Sequence, residues 1–169
     1  LRCNTGANNT GVGMCSLGAN TTGANNTAIG SFAMYEGTTT GNFNTMVGVS
    51  SGRKMTSGTQ NTASGVNAME SNTTGASNVA MGMSALTANT TGGANVAIGA
   101  TAGDAVTTGS NNAILGYEAA GKLTTGGDNV AVGRAALLDT TTQSGNVAIG
   151  NEALENNTAD ENVAVGKQA

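Results

Sequence analysis

The chain has 169 residues with 27 glycines, no Pro, His or Trp, only 2% aromatic and 9% charged residues, and a formal net charge of −4. So few large side chains exclude an ordinary compact core, and the mild, scattered negative charge leaves no basic patch for nucleic acid or an anionic membrane. Yet 38% of the residues are hydrophobic, with Val and Ile evenly spaced, which sets the chain apart from disordered segments.

The regularity is a repeat. An Asn-x-x-x-Gly phrase starts at Asn9, Asn26, Asn44, Asn61, Asn78, Asn95, Asn112, Asn129, Asn146 and Asn162, at spacings of 16 to 18 residues. Residues 1–169 therefore read as a single array of ten units, whose positions are numbered here as columns 1 to 17 from that Asn. Columns 2 and 4 hold Val96 and Ile98, Val130 and Val132, and Val147 and Ile149 around a small residue in column 3, mostly Ala, which predicts a short β-strand. On that pattern the column-4 residues Ile29, Ile98, Val132 and Ile149 are expected to face an interior. Column 5 is glycine in every unit: Gly13, Gly30, Gly48, Gly65, Gly82, Gly99, Gly116, Gly133, Gly150 and Gly166. Such a column predicts a bend at positive φ or a close backbone approach.

Further along the unit, column 9 is usually Leu or Met, as at Leu86 and Leu154. In three units it is small (Gly52, Gly103, Ala120), and there column 12 turns apolar as Met55, Val106 and Leu123. One large side chain per unit, supplied from either of two positions, is what a narrow filled interior requires. Leu86, Val106, Leu123 and Leu154 are accordingly expected inside. Columns 13 to 15 read Thr-Thr-Gly, as at Thr90-Thr91-Gly92, which predicts a second corner. Charged residues avoid columns 1 to 5 altogether, so the strand is expected to be enclosed and the corners wet.

These features predict an all-β chain: a parallel β-solenoid of ten ~17-residue coils, with equivalent columns stacked into ladders. The column-1 asparagines would form one such ladder, their amides satisfying turn backbone. A single coil cannot offset its own ordering entropy, so stability must come from stacking and from neighbouring chains. The array starts mid-unit and shows no polar cap, which suggests a segment of a longer fibre continued end to end.

The phrases N-T-A-I-G-S-F-A-M (26–34) and N-V-A-I-G-N-E-A-L (146–154), with the recurring T-T-G-x-x-N, resemble two related groups. One is the head repeats of trimeric autotransporter adhesins of the YadA-like type; the other is a class of trimeric phage tail-fibre shafts. The adhesin repeat is shorter and lacks the Thr-Thr-Gly corner, so the tail-fibre version fits better. The resemblance implies a homotrimer on the outside of a virion or a bacterial cell, with the column-3 Ala as the close contact between chains. Any contact with a host receptor or glycan would be made by a tip outside these residues.

Chemistry is sparse. Without His there is no Ser-His or Cys-His dyad, and single scattered carboxylates suggest neither acid–base pairs nor a metal cage, so no catalytic residue, metal or cofactor is expected. No apolar run approaches the length of a membrane span. Cys3 and Cys15 could pair in an oxidising compartment, although two thiols in small-residue columns suffice to explain them. Sequons at Asn8, Asn20, Asn25, Asn72, Asn89 and Asn156 are about as many as this composition yields by chance. The expected function is that of a structural shaft in an attachment fibre, from a phage tail or, as the alternative, a bacterial adhesin. A rival of another class is an ice-binding solenoid that uses its threonine ladders.

Overall fold

A computed structural model describes residues 4–169, which leaves Cys3, and with it any Cys3–Cys15 pairing, outside the described residues; the Cys15 side is exposed. The described chain is all β. Ten three-residue strands follow one another: β1 (Thr10–Val12), β2 (Thr27–Ile29), β3 (Thr45–Val47), β4 (Thr62–Ser64), β5 (Val79–Met81), β6 (Val96–Ile98), β7 (Ala113–Leu115), β8 (Val130–Val132), β9 (Val147–Ile149) and β10 (Val163–Val165). Each pairs in parallel with the next, in one sheet ordered β1 to β10. Pairing runs column on column, for example Val79 with Val96, Ala80 with Ala97 and Met81 with Ile98. The chain is thus a β-solenoid of about nine turns, the tenth unit contributing its strand and first bend.

The strand presents the opposite face from the one expected. Column 3 points inward: Ala28, Ala63, Ala80, Ala97, Ala131 and Ala148 are fully buried within their own coils. This overturns their assignment as the contact between chains. Ile29, Ile98 and Ile149 are instead 40%, 37% and 40% exposed, and Val132 is half-buried, so none of these four lines the interior. The reason is the width of the coil. The opposite wall delivers Leu or Met from column 9 and a second Ala from column 8, such as Leu86 and Ala85, both fully buried. Between those walls the strand has room for a methyl group, and its larger residues turn outward.

Both bends depend on close stacking. All ten column-5 glycines have φ between 122° and 149°, a region that residues with a Cβ avoid. A Cβ on Gly99 would also lie 2.4 Å from the Gly116 carbonyl oxygen of the next coil. The second corner uses glycine differently. Column-15 glycines have no positive φ, but a Cβ on Gly92 would fall 2.2 Å from the Gly109 oxygen.

Left-handed backbone also occurs where the sequence gives no sign of it, at columns 7, 9 and 17. Leu86 has φ 50°, Leu137 54° and Ser77 60°. Each such residue costs on the order of 1 kcal/mol, a cost removed at Gly52 and Gly103. The strain is maintained because the tight turn carrying column 9 is what swings its side chain into the interior.

Gly99→Val combines a forbidden φ with a backbone collision, and it is expected to destabilise its stretch of solenoid by about 3 kcal/mol or more. Hydrogen exchange should show protection lost around coils 6 and 7 first. A variant that melts with the parent would refute the bend.

Candidate functional site

Three stacked surfaces were singled out by the sequence: the asparagine ladder, the filled interior and the threonine rows. Asn26, Asn44, Asn61, Asn78, Asn95, Asn112, Asn129 and Asn146 are fully buried, and the end members Asn9 and Asn162 are partly so. Each works in two directions. Asn44 Nδ2 donates to the Gly58 carbonyl at the adjacent Thr-Thr-Gly corner at 2.9 Å and to Asn26 Oδ1 of the preceding coil at 3.1 Å. Asn44 Oδ1 in turn accepts from the backbone N–H and the Nδ2 of Asn61, at 3.0 and 3.1 Å. Both donors and the acceptor are satisfied, so burial costs little and every coil is tied to the next. This is a structural ladder.

The interior carries the column 9/column 12 exchange. Leu86, Val106 and Leu123 are fully buried, and Leu154 is partly buried against the same core. Two further participants come from column 3. A Cβ on Gly52 would meet Met46 Sδ at 2.8 Å, and one on Gly103 would meet Ile114 Cδ1 at 2.8 Å. Met46 and Ile114, the large residues of column 3, therefore fill the space that those glycines vacate. The exchange also interrupts a second ladder in column 12. Asn89 Nδ2 donates to Asn72 Oδ1 at 3.1 Å, but Val106 follows and Asn89 Oδ1 is left buried without a partner.

The threonine rows divide. Column-13 hydroxyls donate to the column-13 carbonyl of the next coil, Thr73 to Thr90 at 3.0 Å and Thr90 to Thr107 at 3.1 Å. Column 14 is exposed at Thr22, Thr40, Ser57, Thr74, Thr91, Thr108, Thr125 and Thr142. One free hydroxyl row therefore faces out, rather than a two-row plane.

The candidate interaction surface is the one the sequence analysis had placed indoors. Column 4 projects a row outward, apolar except at Ser64, with Val12 56%, Met81 46%, Leu115 46% and Val165 68% exposed alongside the isoleucines. Beyond the glycine bend, column 6 extends it with Met14, Val49, Val66, Met83 and Tyr117, all 46% to 60% exposed. The avoidance of charge in columns 1 to 5 was the available signal. It marks a dry outer face as readily as an enclosed strand.

Charge sits elsewhere, in pairs that span adjacent coils: Arg53 with Glu36 and Glu70, Lys122 with Asp139, and Arg134 with Glu152. Exposed pairs of this kind contribute about 0–1 kcal/mol each. A hydrogen bond with Glu118, and its charge, push the Tyr117 phenol up from its ordinary value. Among the described residues no group of three or more His, Cys, Asp or Glu could hold a metal ion. Among the same residues no helix is long and apolar enough to cross a membrane. The sequon residues Asn20, Asn72 and Asn89 are fully buried, whereas Asn8, Asn25 and Asn156 are exposed. No family model, curated protein or solved structure matches the chain.

Two predictions follow from these geometries. Leu86→Ala should cost about 3 kcal/mol through an unfilled interior, and Asn89→Leu alone should cost 1–3 kcal/mol through overpacking. Together they recreate the arrangement of Ala120 and Leu123, so a double-mutant cycle of thermal melts should show favourable coupling of more than about 1 kcal/mol. Hydrogen bonds from Gln168 and Asn151, with the Arg134 charge, hold the Glu152 carboxyl below its ordinary 4.5. The folded value being the lower, its stabilisation is present above pH 4.5 and is lost as pH falls through that lowered value. Glu152→Gln should thus melt below the parent at neutral pH and match it in acid.

Proposed function

We propose that this chain is a length of shaft in a trimeric attachment fibre, spacing a receptor-binding tip from its anchor. A phage tail fibre fits the sequence resemblance best, and a bacterial surface adhesin is the alternative. The observation that carries this reading is the outward row on column 4, apolar at every level but Ser64, on an unbroken parallel stack. Monomeric proteins rarely leave so extended an apolar band in water. Self-association covers it without requiring a differently shaped partner at each level. In this role the chain acts mechanically: ladders of backbone and asparagine hydrogen bonds stiffen the rod, and tight corners deny proteases an extended segment.

The threonine rows support ice binding less well, because the column-13 hydroxyls are already committed to carbonyls of the next coil. The purified chain is expected to sediment at three times its 16.3 kDa mass, to image as short rods and to give no thermal hysteresis. A monomer in dilute solution, or measurable hysteresis, would overturn the fibre reading.

A further inference from the structure

The polar ties between coils are not the same at every level. Column 12 is Asn at Asn20, Asn72, Asn89 and Asn157, and otherwise Gly37, Met55, Val106, Leu123 or Thr140. Each of the first three asparagines donates from Nδ2 to the glycine carbonyl of its own corner: Asn20 to Gly23 at 2.9 Å, Asn72 to Gly75 and Asn89 to Gly92 at 3.0 Å. Its Oδ1 is placed to accept from column 12 of the next coil, as Asn72 Oδ1 does from Asn89 Nδ2 at 3.1 Å. Asn20 and Asn89 are instead followed by Gly37 and Val106, which have no side-chain donor. Both Oδ1 atoms are buried without a partner.

A second loss falls at the same two junctions. Elsewhere along the ladder the column-1 side chains bond amide to amide, as Asn78 Nδ2 to Asn61 Oδ1 at 3.1 Å and Asn112 Nδ2 to Asn95 Oδ1 at 3.0 Å. Asn26 and Asn95 lack that bond. Each keeps its backbone N–H on the preceding Oδ1, of Asn9 or Asn78, and its Nδ2 donates to its own corner at Gly41 or Gly109. The junction below Asn26 lies near the end of the described stack. The junction below Asn95 lies in the middle, between coil 5 (78–94) and coil 6 (95–111). Among the described residues the ion pairs join coils 2 and 3, 3 and 4, 7 and 8, and 8 and 9, so none reinforces it.

We infer that the solenoid contains a parting plane between coils 5 and 6, set by the unpaired Asn89 Oδ1. The corner Thr90-Thr91-Gly92 lifts from Thr107-Thr108-Gly109 before any other mid-stack junction opens, and leaves two blocks. The strand ladder runs on unbroken, Val79 on Val96, and keeps the blocks joined. A rod with one such plane yields to load or denaturant at a fixed point. It recloses there, because each block keeps its own ladders as a template. The plane follows from bonds within one chain and stands whether or not the chain is part of a fibre.

Residue-resolved hydrogen exchange on the full chain tests the plane, because equivalent amides on neighbouring junctions make equal bonds. Thr90 N–H donates to the Thr107 carbonyl at 2.8 Å, Thr73 N–H to Thr90 at 2.9 Å and Thr107 N–H to Thr124 at 2.9 Å. Protection at Thr90 is expected to be about tenfold or more below that at Thr73 and Thr107. Val106→Thr keeps the shape of the side chain and brings a hydroxyl donor to Asn89 Oδ1. It should raise protection at Thr90 toward that at Thr73, with circular dichroism unchanged. Equal protection at the three threonines of the parent overturns the plane. Weak protection at Thr90 that Val106→Thr leaves unchanged, or lowers, overturns Asn89 Oδ1 as its origin. Oligomer mass on the same samples reports on the fibre proposal separately.

Discussion

The buried amide of a column-1 asparagine makes two ties at once. Its Nδ2 donates to a glycine carbonyl of the Thr-Thr-Gly corner beside it, and its Oδ1 receives the next coil's Asn from above, at 2.8 to 3.1 Å for Asn61 and Asn78. The corner and the coil rise are thereby held by a single functional group, repeated from end to end. Leucine would fill the volume without making either bond. The remaining architecture answers to this strict stacking, which requires glycine wherever a backbone passes directly over its successor.

That strict stacking explains which parts of the fold were legible in the sequence. Pitch, strand positions and the parallel stack follow from the Asn and Gly columns, because those residues are there for backbone reasons that repeat unchanged. The exchange of Leu86-type filling for Val106 and Leu123 could also be read, since volume must be conserved coil by coil. The facing of the strand could not. The expectation that β-branched residues point inward assumes a core deep enough for them, and nothing in N-V-A-I-G states that Leu86 arrives from the far wall on a left-handed backbone. The contributions of Met46 and Ile114 were visible as the outsized residues of an alanine column. Their meaning emerges only when each is seen beside Gly52 and Gly103.

The outer face shows the same ambiguity from the other side. Absence of charge in columns 1 to 5 is shared by buried strands and by dry contact surfaces, and composition does not distinguish the two. Exposure does: Ile98 and Leu115 stand in water on an isolated chain. Their cost to solubility is then the driving force for covering them, and a neighbouring copy would add that burial to the alanine-rich interior.

Every contact between coils closes a loop of almost constant length, as from Thr27 to Asn44 or Val96 to Asn112. Growth of the stack from any formed coil is therefore a series of nearly identical, inexpensive steps. Identical steps carry a hazard, because a newly added coil could dock one level too far with little penalty from its Asn and Gly columns. The irregularities resolve this degeneracy. Gly103 accepts Ile114 from the next coil in a slot that Leu86 and Val106 close, the extra residue of the 26–43 coil fits one level, and Arg53 finds a carboxylate on both sides only between Glu36 and Glu70. The departures from consensus act as addresses, giving each coil of an otherwise uniform lattice a single place to stop.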